Sequence, residues 1–290
     1  MEGTPIPRHF LDSSVARPML FGTQAYRQYF ASQFGDNPRY ISAYVQMELK
    51  RSYLRSVVHF YFTLRLSTLQ TISDAFSFWS NRFRASELKA VLQLAAALFA
   101  AHRLDLTRPR DKATALHVLG IYIKRVEPKV RRKFTDIGKD STRCARAAVP
   151  FKVELTNMAA GFKQFVEAFD DIETCRVRCR IDHFLLNRYR PEVEAYIEQA
   201  SQLPKNTDTR GFIAVAENLR EIRQRGATAC SCKRCEHIGD AVIALDAPRN
   251  MRLEHTDHSF NQLCPPIDQP HQQHPSETQV VRPQPSDRDQ

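Results

Sequence analysis

Glycine is scarce in this chain, at 9 of 290 residues. A fold built on many tight glycine turns, such as a barrel or sandwich, is a poor fit, and helices are favoured. Tryptophan occurs once, as Trp79, so the large core side chains must come from 18 phenylalanines. No apolar run reaches membrane-spanning length. The most apolar one, residues 90–101 (AVLQLAAALFAA), is too short and is interrupted by Gln93, so it reads as a buried helix. The amino-terminal residues lack a basic flank followed by an apolar run, so no secretory signal is expected. A cytoplasmic location without a membrane partner is the resulting expectation. The 7 cysteines are an odd number. In a reducing compartment they are thiols or metal ligands, not a disulfide frame. No internal repeat is present.

What the chain does have is apolar content for a core, at 42%, and a net charge of +10. A basic balance favours an acidic partner, of which nucleic acid is the commonest. A basic surface that serves only solubility is the plainer alternative.

Short apolar runs at residues 6–11 (IPRHFL), 39–42 (RYIS) and 251–255 (MRLEH) read as strands, and 149–155 (VPFKVEL) is a further candidate. Helical spacing covers residues 25–34, 43–64, 69–83, 86–104, 112–125, 160–172, 182–202, 211–225 and 239–245. Pro191 is expected to break or kink the helix around it. Residues 259–264 read as a last short helix. From residue 265 the chain is rich in proline and glutamine with few apolar residues, and a disordered tail is expected over 265–290. The tail histidines His271 and His274 are expected to be solvent-exposed.

Few strands, each followed by helix, indicate an α/β fold with a parallel sheet. Sites in such sheets lie at the carboxyl ends of the strands. Asp12 follows the first strand and Asp257 the last. Glu48 lies one to two turns into the helix after the second strand. Asp240 opens the helix before the last strand. These acids sit in HFLDSSVA (9–16), YISAYVQMELKR (40–51), GDAVIAL (239–245) and RLEHTDHSF (252–260). Together the four segments resemble the signature segments of PIN-domain ribonucleases. The closing segment is the looser match, because one acid follows Thr256 and His258 takes the next place.

The resemblance implies a three-layer α/β/α core with a short parallel sheet, made from residues 1–64 and 230–264. A large, mainly helical insertion over residues 65–229 separates the two parts. It also implies a metal-dependent endoribonuclease that holds Mg²⁺ or Mn²⁺ with Asp12, Glu48, Asp240 and Asp257, supported by Ser14 and Thr256. Asp12 and Asp240 are assigned the main ion, and Glu48 and Asp257 a second ion or the attacking water. RNA is the implied substrate. A structure-specific DNA nuclease and a non-catalytic nucleic-acid- or protein-binding module are the alternatives. The family also suggests a toxin paired with an antitoxin.

The chemistry suits these residue types. Phosphodiester hydrolysis needs an activated water and relief of negative charge, which a divalent ion provides. Mg²⁺ takes oxygen ligands and keeps several waters, so few carboxylates suffice. Clustered carboxylates repel when no ion is bound, which raises one or more of their pKa values. Each acid also has an ordinary structural reading. Asp12 is a candidate turn former, Glu48 a partner for Arg51, Asp240 a helix cap, and Asp257 an Asx-turn residue.

Two basic groups are candidates for phosphate contacts. Lys50, Arg51 and Arg55 lie near Glu48 in sequence, and Lys129, Arg131 and Arg132 lie in the run 124–133 (KRVEPKVRRK). Arg176, Arg178 and Arg180 form a further run. Cys230, Cys232 and Cys235 are candidate ligands for a structural Zn²⁺, with Cys175, Cys179 and His237 as further donors. Reduced, packed thiols are the alternative.

Overall fold

The computed structural model describes residues 8–82, 85–137, 142, 144–170 and 178–281. The chain divides into two compact units. The first comprises Met1–Gln46, Arg132–Ala147 and Ile172–Gln290, and the second Met47–Arg131 and Ala148–Asp171.

The first unit is an α/β structure on one parallel sheet. Its strands are β1 (His9–Leu11), β2 (Arg39–Ile41), β3 (Thr135–Asp136), β4 (Arg252–His255) and β5 (His271–Gln273). Their order is β3-β2-β1-β4-β5, and every neighbouring pair is parallel. β1 is central, and all three of its side chains are buried, as a strand covered on both faces requires.

The helix α1 (Ser13–Phe21) starts on Asp12, whose carboxylate accepts from the Ser14 N–H at 2.9 Å. The helix α2 (Gln24–Phe34) is capped by Thr23 and buries Tyr26, Phe30 and Phe34, four residues apart on one face. It stops at Gly35, whose φ of 51° lies in the left-handed region that glycine enters without strain. The helix Gly239–Asp246 is buried all along Ala241–Leu245. Phe10, Leu11, Val15, Leu20, Phe30, Val242, Ile243, Leu253 and Phe260 are fully buried. Each such side chain contributes about 1.5–3 kcal/mol.

A polar knot ties the sheet together. Glu254 on β4 is fully buried, and its two carboxylate oxygens bond His9 Nδ1 at 2.6 Å and His274 Nε2 at 2.8 Å. The Arg252 guanidinium adds a bond of 2.7 Å to the same carboxylate. Hydrogen bonds from His274, His9 and Arg252 outweigh the effect of burial and hold Glu254 at about 2.

The second unit is mainly helical, with helices Arg55–Arg65, Ile72–Ser80, Ala85–His102 and Pro109–Lys124. Trp79 is fully buried and meets Phe60 edge-on, with ring centroids 6.0 Å apart. Thr71 and Asp74 form a reciprocal capping box at the start of Ile72–Ser80. The chain enters this unit within the helix Ala43–Leu49, which continues through a π-helical turn at Lys50–Leu54 into Arg55–Arg65.

Several expectations are corrected. The insertion does not run from 65 to 229: the second unit begins at Met47, and Ile172 onward belongs to the sheet unit. Residues 149–155 form no strand. Val149, Val153 and Leu155 are buried, but the Val149 and Leu155 carbonyls accept from Lys50 Nζ and the Arg65 guanidinium, not from a neighbouring strand. Residues 265–281 are not a disordered tail. They supply a short 3-10 turn (Pro265–Ile267), β5 and the helix Glu277–Val281; residues 282–290 lie outside the described residues. His274 is buried, not solvent-exposed. Pro191 lies in the first turn of the helix Arg190–Gln202, where its missing N–H costs nothing.

Candidate active site

The sheet register builds the site. Leu11 pairs with Glu254, so the residues that follow β1 and β4 leave the sheet side by side. The Asp12 N–H donates to the Glu254 carbonyl at 3.0 Å, and the Thr256 N–H donates to Ser14 Oγ at 3.0 Å. Two strands far apart in sequence thus deliver Asp12 and Asp257 to one edge. The helix Gly239–Asp246 brings Asp240 in its first turn.

Ser259 joins two of these acids. Its hydroxyl donates to Asp240 Oδ2 at 2.7 Å, and its N–H donates to Asp257 Oδ1 at 2.9 Å. The second bond is the Asx-turn expected of Asp257. Asp12, read as a turn former, caps α1, and Asp240, read as a helix cap, lies inside the first turn of a helix that Ile238 starts without a side-chain cap. Asp12 is 2% exposed, its Oδ2 is taken by Ser14, and its buried Oδ1 has no hydrogen-bond partner among the described residues. A buried carboxylate oxygen without a donor carries a desolvation cost that a proton or a cation relieves.

The charges oppose one another. Burial raises Asp12, against hydrogen bonds from Ser14 and Ser13, and the Asp257 charge raises it further. Burial lifts Asp240 to about 6, with the charges of Asp12 and Asp257 adding to the rise and the Ser259 bond opposing it. Burial is the larger cause at both residues, and the neighbouring carboxylate charges add to it. Nearby, burial depresses His255 to about 4, and its ring bonds the Asp257 carbonyl at 2.8 Å and His271 Nδ1 at 3.1 Å.

Glu48 falls in the second unit, half-buried on the helix Ala43–Leu49. The acids described together are therefore Asp12, Asp240 and Asp257. Among the described residues no three His, Cys, Asp or Glu side chains stand ready to hold a metal ion.

Ser14 and Thr256, expected as supporting residues, meet through the Thr256 N–H. Ser259 is absent from the sequence-based set, although a serine two residues after an aspartate is the ordinary signal of an Asx-turn. Of the basic candidates, Lys50 is corrected: it is 3% exposed, donates to the Val149 carbonyl at 2.6 Å and lies over the Phe151 ring. Arg131 pairs with Glu127 at 2.7 Å. Arg51, Arg55 and Lys129 are also engaged within the protein. Arg132 is exposed.

Among the cysteines, the Cys179 and Cys235 sulfurs are 3.9 Å apart, and this contact lowers Cys179. Cys230 lies near enough for the Cys179 charge to act on it. It is buried, its thiol donates to the Gly226 carbonyl at 3.9 Å, and burial pushes it to about 11. Cys175, Arg176 and the side chain of Cys232 lie outside the described residues.

No helix among the described residues is long and apolar enough to cross a membrane. Comparison with protein-family models, curated proteins and solved structures gives no match for this chain.

Proposed function

We propose that the chain is a metal-dependent nuclease that hydrolyses RNA phosphodiester bonds at the edge formed by Asp12, Asp240 and Asp257. The observation that carries this reading is the buried Asp12 oxygen without a donor, beside two carboxylates whose charges oppose its ionisation. That donor set fits a hard divalent ion, Mg²⁺ or Mn²⁺, which binds oxygen and needs few protein ligands. Asp12 and Asp240 would hold it. Bound there, the ion supplies positive charge to the phosphate and a more acidic water.

The chain's own residues do the rest. Ser14 fixes the Asp12 carboxylate through Oδ2 and leaves Oδ1 unbonded. Ser259 sets Asp240 and Asp257 in one orientation. Glu48, in the second unit, is not part of this site.

The test is cleavage of labelled RNA and DNA with Mg²⁺ or Mn²⁺, with and without chelator, for the wild type, Asp12→Asn and Asp240→Asn. Chelator-sensitive RNA cleavage abolished in both variants supports the reading. Cleavage that both variants retain overturns the site. One observation favours a second reading: no ready metal-ligand set is present among the described residues. That reading is a non-catalytic nucleic-acid-binding module, and it gains if the wild type binds RNA without cutting it.

A further inference from the structure

The acids occupy the carboxyl edge of the sheet, and a group of cations occupies the other end. Arg39 opens β2. Arg132 and Lys133 close the helix Val126–Lys133, directly ahead of β3. The pairing Tyr40↔Thr135 holds these two chain segments side by side, about 4.8 Å apart. Arg27 adds its guanidinium from α2. All four belong to the sheet unit.

None of the four side chains has a hydrogen-bonding or ion-pair partner among the described residues, and the Arg39 Nε is buried with its N–H unsatisfied. Burial lowers Lys133, and the charges of Arg39, Arg27 and Arg132 lower it further. Cations that repel one another are unfavourable for folding alone. The helix carboxyl terminus offers an ordinary reason for Arg132 and Lys133. It offers none for Arg39, whose Nε has no acceptor among the described residues, or for Arg27.

We infer that Arg27, Arg39, Arg132 and Lys133 form a phosphate-binding patch that anchors the backbone of single-stranded RNA away from the acid cluster. This deepens the nuclease reading and rests on it for the choice of RNA. Four cations spread over one strand and two helices exceed what one free phosphate needs, and they match a repeating phosphodiester. Arginine suits the task because its planar fork meets phosphate oxygens in pairs. Such contacts give affinity and register without sequence choice.

The experiment is fluorescence anisotropy with a short labelled single-stranded RNA and the full chain, in chelator, over a salt series. The variants are Arg39→Gln and the pair Arg132→Gln with Lys133→Gln. Each should weaken binding at least about tenfold and flatten the plot of log affinity against log salt by about 0.7 for every phosphate no longer neutralised. Melting temperature should hold or rise, because repulsion is being removed. Wild-type affinity and slope in the variants would overturn the patch. So would binding of acidic vesicles or an acidic peptide in place of RNA. Weaker binding with a fallen melting temperature and an unchanged salt slope would mark a folding defect and also overturn it. The two readings separate cleanly. Patch-dependent binding without cleavage sinks the nuclease and keeps the patch, and cleavage with unaltered binding in the variants does the reverse.

Discussion

The Ser259 hydroxyl donates to Asp240 Oδ2 at 2.7 Å, and no other side-chain hydrogen bond opposes the rise of that carboxyl to about 6. Replacing Ser259 with alanine removes a bond to a charged group, a loss of about 1.5–3 kcal/mol. The expected outcome is RNA cleavage slowed about 10- to 100-fold. The acidic limb of the pH–rate profile should move to higher pH, because Asp240 loses the donor that favours its ionised form. Ser259→Thr keeps the hydroxyl and should retain most activity. A Ser259→Ala enzyme with wild-type rate and profile would remove Ser259 from the site.

The acid cluster should destabilise the metal-free protein. Asp240 rises from 3.8 to about 6 on folding. The folded state therefore holds the extra proton between those pH values, and stability falls as pH rises through that window. At neutral pH the cost is on the order of 3 kcal/mol. In chelator at pH 7.5, Asp240→Asn should melt several degrees higher than wild type, since about 1 kcal/mol corresponds to roughly 2–4 °C in a domain of this size. Mg²⁺ or Mn²⁺ should raise the wild-type melting temperature by mass action, chelator should reverse it, and Asp12→Asn should not respond. Calorimetry of the three proteins decides this.

Acid should unfold the sheet unit through two other groups. Glu254 drops from 4.5 to about 2 on folding, so its contribution is present above 4.5 and is lost as pH falls toward 2. His255 drops from 6.5 to about 4, so folding opposes its protonation, and stability is lost as pH falls through that range. Urea titrations at pH 7, 5 and 3 should show a declining midpoint. Glu254→Gln leaves His9, His274 and Arg252 without their anion and should cost about 3–5 kcal/mol at pH 7. It should also flatten the decline below pH 4.5, and a Glu254→Gln curve parallel to the wild type would contradict this account.

Two glycines should respond in opposite ways. A Cβ at Gly161 would overlap the Glu154 carbonyl oxygen and lie 2.8 Å from the Phe62 ring. Gly161→Ala should therefore destabilise the second unit by about 1–3 kcal/mol or more, read through the fluorescence of Trp79, which is buried in that unit. Gly211 has open space around it near the start of the helix Arg210–Arg225. Gly211→Ala should gain about 0.5 kcal/mol.

The sequence exposes what depends on side-chain type. HFL, RYI and RLEH are short apolar or β-branched runs, and each is a strand. Asp12, Asp240 and Asp257 can be placed because each follows or opens such an element. β5 is illegible for the opposite reason. Its residues His271, Gln272 and Gln273 have no apolar pattern, and the strand exists because the edge of β4 offers unpaired backbone groups at Leu253, Glu254 and His255. β3, with two residues, carries no periodicity at all. Composition also misleads at residue 265. The buried Gln269 donates to the Met251 carbonyl at 3.0 Å, Tyr26 donates to the Pro275 carbonyl at 2.7 Å, and His274 bonds Glu254, so polar contacts order a segment that lacks apolar mass. Spacing alone does not separate the unpaired cations from the occupied ones, since Arg131 and Arg132 are neighbours with different fates.

The pairing of β1 with β4 has a temporal meaning. His9 leaves the ribosome long before its partner Arg252 has been synthesised. The helical unit, complete by Asp171, can close in the interval. Until β4 arrives, the Asp12 N–H lacks the Glu254 carbonyl that accepts from it, and Asp240 and Asp257 are made only shortly before or after that strand. The edge that carries Asp12, Asp240 and Asp257 therefore comes together only once translation has passed β4.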